Sequence, residues 1–240
     1  MEVLEATIRT RGEVTFTSRE VGRLADTEPY VLNTALYYAL GLASGRYVDR
    51  SFEPTYVADT DPVAEEVYVS PAAPVPGTNP RHVTTTYNAT RDEYAVVNYA
   101  AEDDPNEKQN LPSYGRRRSL AQGTELRFFL VPRDRDAREL ATDLPSYVRV
   151  GKKRGKVRID LTVREAARRS GSFRLTHPIG AYDHDRTPTG NVVTRSMQPT
   201  PIILQADYEG DHLRIDRRDA ETDPEVVELP QGLTFLATKR

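Results

Sequence analysis

Between residues 157 and 164 the chain alternates without a break. Val157, Ile159, Leu161 and Val163 take one side, and Arg158, Asp160, Thr162 and Arg164 take the other. Successive side chains of an extended chain leave opposite faces, so this spacing predicts a β-strand over 156–163 with one face in a core and one in water. Residues 3–9 repeat the pattern, Leu4, Ala6 and Ile8 against Glu5, Thr7 and Arg9, and predict a half-buried first strand. Strands over 125–131 and 147–150, with a short helix at about 136–143 between them, complete a set whose apolar faces need one another.

That alternating strand lies in the most basic part of the chain. Residues 111–174 hold 17 Lys plus Arg against 7 Asp plus Glu, while the remainder holds 16 against 29. The net charge of −3 and the acidic pI of about 5.9 therefore conceal two opposite blocks. Like charges at this density repel and are normally spread apart unless a polyanion faces them. Only five of the 33 basic residues are lysines, and three of these fall together at Lys152, Lys153 and Lys156. Guanidinium is the better fork for phosphate and the better plate for a base. GC-rich coding accounts equally well for the arginine excess, but not for the lysine cluster.

There is no cysteine, which excludes disulfides, zinc knuckles and thiol catalysis. No run approaches the ~18 apolar residues of a spanning helix, and the first residues lack the basic-then-apolar order of a signal peptide. A cytoplasmic protein without membrane contact or cofactor is the expectation.

A turn at Arg11-Gly12 leads to an extended piece over 14–17. Thr27 then reads as an N-cap, with Glu28 and Pro29 in the first turn, Leu32, Ala35, Leu36, Ala39 and Leu40 as the apolar stripe, and Gly41 as the stop. Six prolines and an acidic cluster (Asp59, Asp61, Glu65, Glu66) speak against regular structure over 44–81, except for a short strand at 66–70. Residues 83–99 predict a strand or a hairpin turning near Arg91-Asp92, and 100–112 a mobile exposed loop. Beyond the basic strand, 164–169 reads as a short helix. The tail predicts strands at 201–206 and 212–215 around a turn at Glu209-Gly210-Asp211, and a last strand at 233–238.

Three motifs fit a nucleic-acid strand. Gly151-Lys152-Lys153-Arg154-Gly155-Lys156 combines four cations with two turn-permissive glycines and lacks P-loop spacing. Tyr114-Gly115-Arg116-Arg117-Arg118 sets an aromatic beside three phosphate forks, as single-strand binders do. Arg19 and Arg23, four apart, could receive a phosphate near the helix start. Each has a plainer reading, as a solvated hairpin tip or as ion pairs with nearby carboxylates. The histidines are His82, His177, His184 and His212, and none lies in the basic block. Asp183-His184-Asp185 resembles a metal cluster only at a glance, and no GxSxG elbow supports a serine hydrolase. A metal-independent endoribonuclease with one histidine as base, and a protein-only scaffold, are the competing readings.

Two stretches carry a family likeness. Phe16-Thr17-Ser18-Arg19-Glu20-Val21-Gly22-Arg23-Leu24 runs on to Thr27-Glu28-Pro29-Tyr30, and Leu111-Pro112-Ser113-Tyr114-Gly115-Arg116 runs through Gly123-Thr124-Glu125 to Tyr147-Val148-Arg149-Val150-Gly151-Lys152. In order and spacing they resemble the Cas-five-type subunit (Csc-one) of type I-D CRISPR systems, over roughly the first two thirds of the chain. The resemblance implies an α+β fold: a ferredoxin-like, RRM-related RAMP core with an antiparallel sheet and a thumb-like hairpin insertion, over residues 1–174, and a β-rich extension over 175–240 packed on it. It implies a non-catalytic subunit that caps the crRNA 5′ handle in a Cascade complex. Its partners would be the Cas-ten-like large subunit and the Cas-seven-type backbone subunit, with the PAM end of target DNA nearby. Arg19, Arg23, Tyr114, Gly115, Arg116, Arg117, Arg118, Arg149, Lys152, Lys153, Arg154 and Lys156 are the expected RNA-binding residues.

Overall fold

The structure, a computed structural model, describes residues 1–22, 24–45, 55–88, 114–152, 155–217 and 225–239. In chain order its elements are β1 (Glu2–Thr10), β2 (Arg19–Val21), β3 (Leu24–Asp26), α1 (Asn33–Ala39), α2 (Tyr56–Asp59), α3 (Val63–Glu66), β4 (Val67–Val69), β5 (Ala73–Pro74), β6 (His82–Asn88) and β7 (Tyr114–Leu120). Then follow β8 (Glu125–Pro132), α4 (Ala137–Asp143), β9 (Tyr147–Val150), β10 (Gly155–Arg174), β11 (Ile179–Gly180), β12 (Val192–Arg195), β13 (Ile202–Arg217) and β14 (Glu225–Pro230). The chain is mostly sheet with few helices, and every pairing within the main sheet is antiparallel.

Four strands of the main sheet lie in the order β10-β1-β8-β4. α1 follows β1 and α4 follows β8 in sequence. Alternation decides the two faces. Leu4, Ala6 and Ile8, Leu126, Phe128 and Leu130, Val157 and Ile159 pack in one core with Leu36, Tyr37 and Leu40 of α1 and Ala137 and Leu140 of α4. Asp136 caps α4 by accepting from the amides of Arg138 and Glu139. The opposite face is covered at one end only. There Val3, Phe129, Val131 and Ala166 pack with Phe173, Tyr208, Leu213, Ile215, Val227 and Leu229 in a second core, built on β13 and β14.

This second core explains two departures from the sequence expectations. Residues 164–169 are not helical: β10 continues straight through them because Ala166 and Phe173 face the second core and β13 supplies a full hydrogen-bonding partner. Nor does the chain turn at Glu209-Gly210-Asp211. β13 runs through it, with Gly210 set opposite Gly171, both at positive φ (119° and 131°), so the two glycines bend the ribbon instead of reversing it. The segment expected as a last strand is a turn ending in a 3-10 helix at Ala237–Lys239. Leu236 donates its amide to Asp183 at 3.1 Å.

The first helix starts later than its signals predict. Its N-cap is Leu32, with no side-chain cap, and Glu28 and Pro29 precede it. Thr27 instead accepts from the Phe16 amide (3.1 Å) and donates to the Phe16 carbonyl (2.7 Å). A hydroxyl able to bond a second chain segment on both groups is lost to the helix. Residues 14–17 make one isolated β-bridge, Val14 to Leu120, and form no strand. In the proline-rich part, 55–81 holds two one-turn helices and β4 and β5, with Pro62 at an N-cap, so the prolines punctuate elements rather than abolish them. The expected strand at 66–70 appears as β4. Of 83–99, residues 82–88 form β6; the expected turn at 91–92 and the loop at 100–112 lie outside the described residues.

Two buried polar residues hold the halves together. Asp183 accepts from Asn33 Nδ2 (2.8 Å), Tyr68 hydroxyl (2.8 Å), the Gly180 amide (3.0 Å) and the Leu236 amide (3.1 Å). Burial still raises its pKa, against those four bonds. His177 is buried, with Nε2 at 2.9 Å from Ser70 Oγ and 3.0 Å from the Pro71 carbonyl and its ring edge-on to Phe129. Burial, then the Arg127 charge, push its pKa down to about 3. The unfolded chain binds that proton from about pH 6.5 downward and the fold refuses it. The histidine's full contribution is therefore present above 6.5 and is lost as pH falls towards 3, at about 1.4 kcal/mol per unit. Urea unfolding at about pH 5 is expected to show about 2 kcal/mol less stability from this group than at about pH 7, and His177→Gln to remove most of that difference.

Candidate nucleic-acid interface

Arg116, Arg117 and Arg118 lie on β7, a strand of a second sheet ordered β2-β3-β7-β6. Three arginines in a row give no alternation of character, which hides the strand from sequence inspection. The geometry alternates nonetheless. Asp26 stands opposite Arg118 in the parallel register of β3, and Arg118 meets it with Nε at 2.6 Å from Oδ1 and Nη2 at 3.1 Å from Oδ2. Arg19 on β2 donates from Nε to the same Asp26 Oδ2 at 3.1 Å and lies 3.3 Å from Glu28 Oε1. Two arginines almost a hundred residues apart thus share one carboxylate. Arg116, exposed, shares their face by the two-residue period and makes no ion pair with a described residue.

Arg117 goes to the other face, its guanidinium 5.9 Å from the ring centre of Tyr87 on β6. Gly115 leaves room for that ring: a Cβ there would stand 2.5 Å from Tyr87 Cζ and the tyrosine would have to shift. The three consecutive arginines therefore do not form one patch. The Tyr114 side chain and Arg23 lie outside the described residues.

The second basic motif is the hairpin of β9 and β10. Val148 and Val150, Val157 and Ile159 face the core, so Tyr147, Arg149, Lys156 and Arg158 face outward. Lys156 sits opposite Arg149, and its Nζ lies 4.6 Å from the ring centre of Tyr147, which is half-exposed. Arg158 is paired with Asp160, and Arg9 beyond it with Glu125. Ion pairs thus neutralise the end of this face away from the turn. Lys152 is exposed at the turn; Lys153 and Arg154 lie outside the described residues.

Both motifs dock on one short segment. Lys152 donates its amide to the Thr15 carbonyl at 2.8 Å. A Cβ on Gly151 would stand 2.3 Å from the Thr15 carbonyl oxygen, and one on Gly155 2.5 Å from that of Glu13. Thr15 Oγ1 in turn lies 2.9 Å from Ser119 Oγ at the end of β7. The glycines of the hairpin are there so that its turn can press on residues 13–15, which tie it to the arginine strand.

Two residues escaped the sequence expectations. Arg195, on β12, lies 3.8 Å from Glu28 Oε1, brought there by a bond from the Gln198 amide to the Ser18 carbonyl at 3.2 Å. Nothing local in the sequence marks it. Tyr147 was legible as an outward aromatic in a strand flanked by cations. The histidines serve the fold: besides His177, His184 accepts from the Arg186 amide on Nδ1 (3.0 Å) with Nε2 3.1 Å from the Tyr208 hydroxyl, and burial lowers its pKa. His212 stacks on Phe173, and His82 Nε2 lies 3.1 Å from the Thr27 carbonyl. Among the described residues no three His, Asp or Glu gather as metal ligands, and no helix is long and apolar enough to cross a membrane.

The family model described as type I-D CRISPR-associated protein Cas5/Csc1 matches residues 1–238. The match therefore extends over 44–81 and the tail, where sequence inspection found no likeness. Among curated proteins none matches the chain. A crystal structure of a CRISPR protein from Archaeoglobus fulgidus is 12% identical, with 95% of this chain and 100% of that one covered and a TM-score of 0.40. A chain of the type III-B Cmr-beta complex bound to cognate target RNA and AMPPnP is 10% identical, with 88% and 85% covered and a TM-score of 0.44.

Proposed function

Because the chain belongs to the type I-D CRISPR-associated Cas5/Csc1 family, we propose that it is a non-catalytic RNA-binding subunit of a type I-D CRISPR surveillance complex, capping the crRNA 5′ handle near the PAM end of target DNA. The observation that carries this reading is the outward face of the β9–β10 hairpin. It sets a half-exposed tyrosine among Arg149, Lys152 and Lys156, so a base can stack where its phosphates are neutralised. The strand order β10-β1-β8-β4 with its two following helices supports a ferredoxin-like RAMP core. Residues 175–240 extend that core. The acidic remainder of the surface faces the Cas-ten-like and Cas-seven-type subunits and stays in the cytoplasm with them.

A non-catalytic role is supported by the use of His177, His184 and His212 in packing and by the tie of His82 to the Thr27 carbonyl. Incubating the purified chain with CRISPR repeat RNA in EDTA tests this. Intact RNA that stays bound is the expected result; specific cleavage lost on replacing one histidine would overturn it. Tyr147→Ala is expected to weaken binding of single-stranded handle RNA by about tenfold, the ~1–3 kcal/mol of one stacked base, while leaving its salt dependence unchanged. Tyr147→Phe is expected to bind as the unaltered chain does. Fluorescence anisotropy across a salt series checks both.

A further inference from the structure

Around Asp26 and Glu28 three arginines gather from remote parts of the chain: Arg19 from β2, Arg118 from β7 and Arg195 from β12. The carboxylates are buried, their residues 1% and 6% exposed, whereas the arginine side chains keep 49%, 35% and 43% of their surface. Acids lie beneath and cations above.

Charge balance separates a packing device from a binding site. Two buried carboxylates need two cations, and Arg118 and Arg19 supply them at 2.6–3.3 Å. Arg195 is the excess charge. It reaches Glu28 only at 3.8 Å, and its buried Nε, like that of Arg118, has no hydrogen-bond partner among the described residues. A guanidinium has five donors in a fixed fork, and the carboxylates occupy only some of those of Arg19 and Arg118. What is left over is a set of unused N–H donors on the exposed parts of these side chains and one net positive charge. The buried carboxylates hold the forks in place before any ligand arrives, so little side-chain freedom is lost on binding.

We infer that Arg19, Arg118 and Arg195 form a preorganised seat for a single phosphate group of a bound nucleic-acid strand, with Asp26 and Glu28 as the residues that position them. This rests on the reading of the chain as an RNA-binding subunit and adds a contact from the C-terminal part. Asp26 and Glu28 also exclude a second phosphate, since their negative charge makes the seat's surplus no larger than one. A planar fork is required: lysine at 195 would keep the charge and lose the paired donors.

The test uses the full chain and single-stranded handle RNA, either unmodified or with one linkage at a time replaced by an uncharged methylphosphonate. Arg195→Ala is expected to weaken binding about tenfold and to reduce the salt slope by about 0.7, the share of one phosphate on a single strand. Arg195→Lys is expected to keep the slope and lose part of the affinity. One linkage should stand out, its neutralisation weakening the unaltered chain but not Arg195→Ala. Arg195→Ala with unchanged affinity and slope, or a loss spread evenly over all linkages, would overturn the seat while leaving RNA binding in place. Absence of binding by the unaltered chain would instead overturn the reading beneath it. If Arg195→Ala does not fold, the linkage scan on the unaltered chain decides alone, because a seat requires one dominant position.

Discussion

Glu5→Ala is expected to lower the free energy of unfolding by about 3–5 kcal/mol, the cost of removing one partner from a buried ionic network. Glu5 is 4% exposed on β1. It accepts from Arg164 Nε at 2.7 Å and Arg217 Nε at 3.0 Å, with Arg217 Nη2 at 2.8 Å and Arg127 Nη1 at 4.0 Å. Arg127 and Arg217 both continue to Glu225 on β14. Burial pushes the Glu225 carboxyl up, but the bonds and charges of Arg127 and Arg217 outweigh it and hold its pKa below the usual value. Three guanidiniums and two carboxylates thus sit where the second core stops covering the main sheet. Without Glu5, Arg164 and Arg217 lose a bonded carboxylate, Glu225 is left to Arg127 and Arg217, and Arg127, 3% exposed, has no water to turn to. Urea unfolding measures the loss. Glu2→Ala is the control: its pair with Arg138, 74% exposed, is expected to be worth under about 1 kcal/mol. Equal effects at the two positions would show that the network contributes no more than an exposed ion pair.

The second large effect concerns binding. Replacing Arg149, Lys152 and Lys156 together by Glu is expected to weaken association with single-stranded RNA by at least about 100-fold and to flatten the slope of log K against log salt by about 2, three phosphate contacts on a single strand. All three lie on the turn-proximal outward face, away from the core side of Val148, Val150 and Val157, so melting temperature is expected to change little. Arg9→Ala serves as the comparison, because Glu125 already neutralises that side chain. An unaltered slope in the triple variant would mean that the hairpin does not face the strand.

How much of this was legible in the sequence follows from where the information sits. β1, β8, α4, β9 and the first half of β10 were readable because each carries its own pattern: alternation, a capped apolar stripe or, in β8, a near-continuous apolar run buried on both faces. Elements defined by a partner were not. Residues 164–174 have no core-facing alternation until β13 lies beside them, and β14 shows itself only through the second core. Thr27 had every local mark of an N-cap, and a contact with Phe16 outbid it. The interface divides the same way. The hairpin cations were legible as a cluster, whereas consecutive Arg116, Arg117 and Arg118 read as one patch and are split by the strand between Asp26 and Tyr87. Arg195 joins Arg19 only because Gln198 bonds to Ser18, a contact across 180 residues that no spacing announces.

The measurement that bears most directly on the whole account is the affinity of the purified chain for single-stranded handle RNA across a salt series. With about five phosphates neutralised by the hairpin, the arginine seat and Arg116, log K is expected to fall linearly with log salt at a slope of about −3.5. No binding at low salt, or a slope near zero, would contradict it.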